Sequence, residues 1–211
     1  MPRILCFGDS NTHGTPPMTE AGQVLRLGTA ERWPRVMTAE LGEDWELVEE
    51  GLGGRTTVFD DPINGLTMNG AVALPMALRS HGPIDWLTIM LGTNDCQYHY
   101  GASADQIAAG LASLMVIANS PDLQARHNGF QILLIAPPVV VEEGTFAREF
   151  RGAAAKSKAL APLYSDLAAS YGAHFLDASK HIAVSRVDGV HFDAAAHATL
   201  GHAVAKFISA S

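Results

Sequence analysis

The residues best suited to covalent chemistry are a serine near the start of the chain and a histidine near its end. Ser10 follows an apolar run, residues 4–7, and a Gly-Asp pair. A serine hydroxyl becomes a useful nucleophile only when a neighbouring base accepts its proton. His191 is the candidate base, because Asp188 lies three residues before it and could fix its tautomer. Together they predict attack of the serine on an acyl carbonyl.

Each part of this pattern also has a simpler interpretation. A serine after a strand can serve only as a turn residue that makes a local hydrogen bond. Most Asp-x-x-His occurrences are a turn aspartate beside a surface histidine, and this chain has nine histidines. The interpretation of Ser10 and His191 therefore depends on whether the fold brings other groups to the serine.

Two further glycine-rich segments follow predicted strands and supply hydrogen-bond donors. Gly54 lies in the segment after residues 45–50, and Asn94 lies in Gly92-Thr93-Asn94-Asp95 after residues 84–91. The carboxyl ends of parallel strands share one edge of a sheet, where ligands bind in open α/β folds. A glycine N–H and an asparagine amide can stabilise the oxyanion that forms when a serine attacks a carbonyl. We therefore expect Gly54 and Asn94 near Ser10.

Alternating strand and helix patterns predict an α/β fold with a parallel sheet covered on both faces. Strands are predicted at residues 4–7, 45–50, 84–91, 130–136 and 173–176. Helices are predicted at residues 31–41, 71–80, from Ser103 to a stop at Pro121, at 153–171 with a break or kink at Pro162, and after Asp193. Five strands in this pattern favour a flavodoxin-like three-layer sandwich. No linker or repeat divides the chain, so a single domain of residues 1–211 is expected.

Composition limits the classes of partner. The chain has 211 residues, a net charge of −8 and no cluster of Lys or Arg, which argues against binding nucleic acid or an anionic membrane. Two cysteines, Cys6 and Cys96, show no metal-ligand spacing, so no metal site is expected. No apolar stretch approaches the roughly 20 residues of a membrane span, and no signal peptide is expected before the first strand. The expected location is the cytoplasm.

Four blocks of the chain, taken in order, resemble the motifs of the SGNH hydrolases, also called the GDSL esterase/lipase family. The blocks are Gly8-Asp9-Ser10-Asn11, Gly54, Gly92-Thr93-Asn94-Asp95, and Asp188 with His191. The resemblance extends over essentially the whole chain. It implies a five-stranded, flavodoxin-like sheet and a serine esterase that acts on small ester substrates without a metal or organic cofactor.

The resemblance also implies a role for each matching residue. Ser10 resembles the nucleophile, His191 its base, and Asp188 the carboxylate that orients the base. The Ser10 N–H, the Gly54 N–H and the Asn94 side chain resemble the oxyanion hole.

A narrower likeness connects the chain to the bacterial arylesterase/acyltransferase branch of that family. It rests on Glu49-Glu50-Gly51-Leu52, Arg55-Thr56-Thr57, Asp61-Pro62, Asn69-Gly70 and Ile89-Met90-Leu91. Members of that branch are homo-oligomers. The likeness therefore implies a homo-oligomer that hydrolyses short acyl groups from activated or aryl alcohols, with acyl transfer to an alcohol as a further activity.

The chain departs from that branch beside the nucleophile, where Asn11, His13 and Thr15 replace a leucine and tryptophans. We expect a more polar pocket, with Asn11 and His13 and, from the loop after Asn94, His99 as candidate pocket residues. An acetylated sugar is therefore an alternative substrate, which would make the protein a carbohydrate deacetylase. A third possibility is a flavodoxin-like protein that binds an anion or nucleotide, although no Gly-x-Gly-x-x-Gly or P-loop pattern follows the first strand.

Overall fold

Five parallel strands form the central sheet of the computed structural model, which describes residues 1–211. The strands are β1 (Arg3–Gly8), β2 (Glu46–Gly51), β3 (Trp86–Met90), β4 (Gln131–Ala136) and β5 (His174–Asp177). Their order in the sheet is β2-β1-β3-β4-β5, and every neighbouring pair is parallel. This order confirms the predicted flavodoxin-like α/β fold.

Helices cover both faces of the sheet. They are α1 (Ser10–His13), α2 (Trp33–Leu41), α3 (Gly70–Ser80), α4 (Ala104–Ala118), α5 (Pro121–Arg126), α6 (Ala153–Tyr171) and α7 (Ala194–Ser209). The short α5 was not predicted, because Pro121 indicates the end of α4 but also suits the first turn of a new helix. The expected division of α6 into two helices is wrong: Pro162 lies inside one continuous helix, on its exposed side, where water can hydrate the freed carbonyl.

Alternating side chains of β1 contribute to two separate cores. Leu5 and Phe7 pack in the larger core with α3, α4 and α6, while Ile4 and Cys6 pack in the second core with α2 and α7. All four side chains are fully buried. Burying a leucine, isoleucine or phenylalanine stabilises the fold by about 1.5–3 kcal/mol each. The central strand therefore has little freedom to shift, and its carboxyl end is a firm support for Ser10.

Close packing at the carboxyl edge holds the first turn after β1 against β2. A Cβ atom on Gly51 would lie 2.2 Å from the backbone nitrogen of His13, so only glycine permits this approach. The ends of β1, β2 and β3 consequently meet at one edge, as predicted for a parallel sheet. No helix of the structure is both long and apolar enough to cross a bilayer.

Candidate active site

Ser10 is placed by a short helical turn that begins where β1 ends. Asp9 is the N-cap of α1, and its Oδ1 accepts a hydrogen bond of 2.9 Å from the N–H of Asn11. The turn ends at Gly14, whose φ of 89° lies in the left-handed region. Since Ser10 is the first residue of α1, its N–H has no partner within the helix.

His191 is placed by a loop that folds around the Asp188 carboxylate. Oδ1 of Asp188 accepts hydrogen bonds of 3.0 Å from the N–H groups of Val190 and His191. Gly189, which lies between Asp188 and Val190, has a φ of 80°, and a Cβ there would lie 2.0 Å from the carbonyl oxygen of Val141. The sequence Asp-Gly-Val-His therefore folds into a tight turn that brings the imidazole beside the carboxylate.

The loop and the turn meet in a chain of hydrogen bonds. His191 Nε2 lies 3.0 Å from Ser10 Oγ, and His191 Nδ1 lies 2.6 Å from Asp188 Oδ2. Asp188 is fully buried and also accepts a 2.8 Å hydrogen bond from the N–H of Met18. Burial alone would raise the pKa of Asp188, but the hydrogen bonds from His191 and Met18 outweigh it and lower the pKa below its usual value. The geometry allows a proton to pass from the serine to an imidazole beside an ionised carboxylate.

Two other expected donors lie at the same cavity. The N–H of Gly54 has no hydrogen-bond acceptor in the backbone around it, and Gly54 has a φ of 83° that favours glycine. Asn94 Nδ2 donates to the carbonyl of Arg55 over 3.0 Å, and its Oδ1 accepts a 3.1 Å hydrogen bond from Gln97. An amide nitrogen carries two hydrogens, so one remains available. Both residues line a cavity of about 420 Å³ together with Ser10 and His191.

Charged groups are buried beneath these donors. Asp95 is fully buried and accepts hydrogen bonds from the N–H of Thr57, over 2.9 Å, and from its hydroxyl. Burial raises the pKa of Asp95 to about 6, although the Thr57 hydrogen bonds act in the opposite direction. The guanidinium of Arg55 lies 4.2 Å from the centre of the Phe7 ring and donates to the carbonyl of Gly8 over 2.9 Å. Arg55 thus joins the end of β1 to the carbonyl that holds Asn94.

The three residues predicted from sequence to line the pocket do not line it, so this expectation is wrong. Asn11 is buried against the loop that carries His191, because neighbouring residues of a helical turn point in different directions. His13 lies within hydrogen-bond distance of Thr15, at 3.3 Å, and that threonine, not the histidine, reaches the cavity. His99 is exposed and packs on Tyr100 with ring centres 4.0 Å apart.

The cavity wall contains apolar and polar residues that the sequence did not reveal. The apolar residues are Met18, Phe146, Phe150 and Val190. The polar residues beyond the predicted site are Thr15, Gln23, Asn64, Gln97 and Glu149. Apart from Thr15, the polar residues lie on separate loops without periodic patterns, so no local signal could have identified them.

The remaining buried histidines have structural contacts. His197 Nδ1 accepts a 3.2 Å hydrogen bond from the N–H of Trp33, and His127 Nδ1 accepts one of the same length from Ile84. Burial lowers the pKa of His197 to about 4, which keeps it neutral. No group of three or more His, Cys, Asp or Glu side chains has an arrangement that could hold a metal ion.

Comparisons with known proteins identify the family and similar solved structures. The sequence model described as the GDSL-like lipase/acylhydrolase family matches residues 6–199. Est24, a carbohydrate acetylesterase from Sinorhizobium meliloti, is 37% identical over 100% of this chain and 99% of its own, with a TM-score of 0.93. The aryl esterase of M. smegmatis is 36% identical over 100% and 99% of the two chains, with a TM-score of 0.94. A putative arylesterase from Agrobacterium tumefaciens str. C58 is 40% identical over the same shares, with a TM-score of 0.89. No curated protein matches significantly.

Proposed function

Since the chain belongs to the GDSL-like lipase/acylhydrolase family, we propose that it is a serine esterase that hydrolyses short-chain acyl or aryl esters. The observation that carries this proposal is the continuous chain from Ser10 Oγ through His191 to Asp188, with distances of 3.0 and 2.6 Å. Similarity to an aryl esterase and a carbohydrate acetylesterase over the full chain supports it. The whole chain, residues 1–211, acts as one domain, since both cores pack on the same sheet.

In the first half of the reaction, Ser10 Oγ attacks the ester carbonyl carbon while its proton passes to His191 Nε2. The carbonyl oxygen becomes an oxyanion, which accepts hydrogen bonds from the N–H groups of Ser10 and Gly54 and from Asn94 Nδ2. The imidazolium then donates its proton to the oxygen of the leaving alcohol. The carbon–oxygen bond to that alcohol breaks, and the acyl group remains on Ser10.

In the second half, water takes the place of the alcohol. His191 accepts a proton from the water, whose oxygen attacks the acyl carbonyl, and the same donors stabilise the second oxyanion. The proton returns to Ser10 Oγ as the carboxylic acid leaves. Asp188 stays ionised throughout, because its pKa lies below the usual value, and it stabilises each imidazolium.

The acyl-enzyme can also be attacked by an alcohol in place of water, which makes acyl transfer a second activity in this proposal. The apolar wall of Met18, Phe146 and Phe150 supports it, because such a wall favours an organic alcohol over water. Product ratios of ester to acid in aqueous buffer with added benzyl alcohol test it. Formation of acid alone at every alcohol concentration would remove transfer from the proposal.

An acetylated sugar is the second candidate substrate, and the polar wall favours it. Gln23, Asn64, Gln97 and Glu149 present amides and a carboxylate to the cavity, and such groups bind sugar hydroxyls. The test compares kcat/KM for acetylated xylose with that for p-nitrophenyl acetate. Gln23→Ala and Asn64→Ala should reduce turnover of the sugar ester more than that of the aryl ester. Equal reductions would favour the aryl ester as substrate.

The assay for the main proposal measures hydrolysis of p-nitrophenyl acetate by the wild type and by Ser10→Ala. The variant should lose nearly all activity, since no other serine is within hydrogen-bond distance of His191 Nε2. Ser113→Ala is the matched control, because Ser113 is exposed and hydrogen-bonds only within its own helix. Equal rates for the wild type and Ser10→Ala would refute the nucleophile. A serine-directed phosphonate that left Ser10 unmodified, with a nucleotide raising Tm, would instead favour a binding protein.

The proposal includes a homo-oligomer, supported by an exposed apolar surface. Ile63 is 90% exposed, Met76 64% and Leu66 61%, and they lie on α3 and the loop before it. Exposed apolar clusters of this kind are typical of interfaces, and a second copy of the chain is the proposed occupant. Sedimentation should give a multiple of 22.4 kDa, which Met76→Glu reduces. A Val116→Glu control, on the exposed side of α4, should leave the mass unchanged; a wild-type monomer would overturn the proposal.

A cytoplasmic location completes the proposal. Its support is two buried free thiols, Cys6 and Cys96, which are compatible with a reducing compartment. Fractionation of the native host and immunodetection of the chain would test it, and recovery of the protein outside the cytoplasm would contradict it.

A further inference from the structure

The side chain of Asn11 forms hydrogen bonds with the chain on both sides of the candidate base, His191. Asn11 follows Ser10 directly in α1, and its side chain is 1% exposed. Its Nδ2 donates to the carbonyl of Val190 over 3.2 Å, and its Oδ1 accepts from the N–H of Phe192 over 3.3 Å. These two partners are the residues on either side of His191.

A single amide therefore connects the serine turn to both chain neighbours of the imidazole. The hydrogen bonds of Asp188 to Val190 and His191 stiffen the base loop internally, but they do not attach it to α1. Asn11 makes that attachment, and the same turn carries Ser10 Oγ at 3.0 Å from His191 Nε2. Within α1, Asn11 is thus the side chain that hydrogen-bonds the serine turn to the chain on both sides of the base.

Asparagine suits this position because it offers a donor and an acceptor at once. A leucine has a similar size but would leave the carbonyl of Val190 and the N–H of Phe192 buried without partners. An ionised aspartate could accept from Phe192 but could not donate to Val190. Either change should let the base loop move relative to α1.

We propose that Asn11 is a positioning residue that sets the distance between Ser10 Oγ and His191 Nε2. This inference rests on the proposed roles of those two residues in ester hydrolysis. Asn11 does not line the cavity, so its loss should affect the proton transfer and leave substrate binding unchanged. The expected result is a lower kcat at an unchanged KM, because a displacement near 1 Å can reduce a rate about 100-fold.

The test measures kcat and KM for p-nitrophenyl acetate in Asn11→Leu, at a temperature at which the variant is shown to be folded. We expect kcat to fall about 10- to 100-fold with KM within about twofold of the wild-type value. Asn119→Leu is the matched control, since its amide also donates to a backbone carbonyl but lies at the end of α4. The control should keep the wild-type kcat. If Asn11→Leu does not fold, Asn11→Asp replaces it, with the same expected fall in kcat.

A double variant separates positioning from a general effect on the fold. In the His191→Ala background, Asn11→Leu should cause no further loss of the residual activity, because Asn11 acts through His191. An equal additional loss in that background would overturn the inference, as would a wild-type kcat in the folded single variant. Failure of the proposed function looks different: there, Ser10→Ala would hydrolyse the ester as fast as the wild type.

Discussion

Asp188 and Asp95 are both fully buried near the candidate active site, yet their pKa values are shifted in opposite directions. Hydrogen bonds from His191 and Met18 lower the pKa of Asp188 against the effect of burial. At Asp95 burial prevails and raises the pKa to about 6, because its two hydrogen bonds both come from Thr57. The comparison shows that burial raises the pKa of a carboxyl here unless enough hydrogen-bond donors face it to outweigh the desolvation.

The same contrast extends to the surroundings of the two residues. Both carboxylate oxygens of Asp188 have partners, whereas Oδ2 of Asp95 and Nε of Arg55 are buried without any. The side that carries the base therefore has a fully paired carboxylate, whereas the side that carries the oxyanion donors has an unpaired carboxylate oxygen and an unpaired guanidinium nitrogen. Substitution of Asp188 should therefore change mainly the catalytic rate. Substitutions of Asp95 or Thr57 should change mainly the free energy of unfolding and its dependence on pH.

The largest effect should come from Asp188→Asn. Asparagine cannot stabilise the imidazolium and favours the wrong tautomer, so kcat for p-nitrophenyl acetate should fall about 10⁴-fold. Asp193→Asn is the control, since Asp193 caps α7 two residues after His191 and that cap tolerates asparagine. A fall in kcat of less than tenfold in Asp188→Asn would contradict the interpretation that an ionised Asp188 stabilises the imidazolium of His191.

Removal of an oxyanion donor should rank second. Asn94→Ala is expected to lower kcat about 100- to 1,000-fold with little change in KM, because the amide acts on a charge that forms only during the reaction. Asn64→Ala, at the wall of the same cavity, should lower the rate much less for the same aryl ester. Similar losses in both variants would indicate substrate binding in place of oxyanion stabilisation.

Asp95→Asn should change the pH dependence of stability more than the rate. A carboxyl whose pKa is raised binds more protons when folded, so its contribution lowers the free energy of unfolding as pH rises from about 4 to about 6. The difference amounts to at most about 3 kcal/mol. Burial also raises the pKa of Asp9 to about 6, so Asp9 contributes a fall of its own. Urea unfolding of Asp95→Asn across this range should therefore show a smaller fall than the wild type, whereas exposed Asp105→Asn should show the full fall. Identical curves for Asp95→Asn and the wild type would show that Asp95 does not titrate in this range.

The smallest effect should come from Thr57→Val, which removes one donor from Asp95. We expect a loss of about 1–2 kcal/mol in the free energy of unfolding at pH 7 and a smaller loss at pH 5, where Asp95 is protonated. Thr56→Val is the control, because the Thr56 hydroxyl donates to the neutral carbonyl of Phe59. The loss in free energy of unfolding of Thr56→Val should be the same at both pH values. A loss in Thr57→Val that does not depend on pH would contradict the interpretation that the Thr57 hydroxyl stabilises the ionised form of Asp95.

The fold was predictable because its signals are local and repeated. Three strands appear as apolar runs, β2 as a partly alternating segment, and each long helix as an apolar stripe, so a parallel sheet could be predicted from the succession of strands and helices. Pro121 and Pro162 show where such signals fail, because a proline can end, begin or interrupt a helix and its surroundings decide which.

The candidate site was predictable only in part. The residues that directly follow strands could be predicted, and those placed by contacts between distant segments could not. Ser10, Gly54 and Asn94 follow strands, and parallel strands bring their ends together whatever the loops do. Asn11 was misjudged, because one step along a helical turn rotates a side chain out of the cavity and toward the base loop. Met18 was missed, since its contact with Asp188 spans 170 residues and leaves no local pattern.

Residue order and type alone were therefore enough to indicate a parallel α/β sheet, a serine at its edge and an Asp-x-x-His turn, because each depends on neighbours in the chain or on the shared edge of parallel strands. The path of the loops determined everything that depends on contacts between distant segments. These contacts include the donors that lower the pKa of Asp188, the desolvation that raises that of Asp95, and the polar residues that face the cavity. They also turned Asn11 from a supposed pocket residue into the link between serine and histidine.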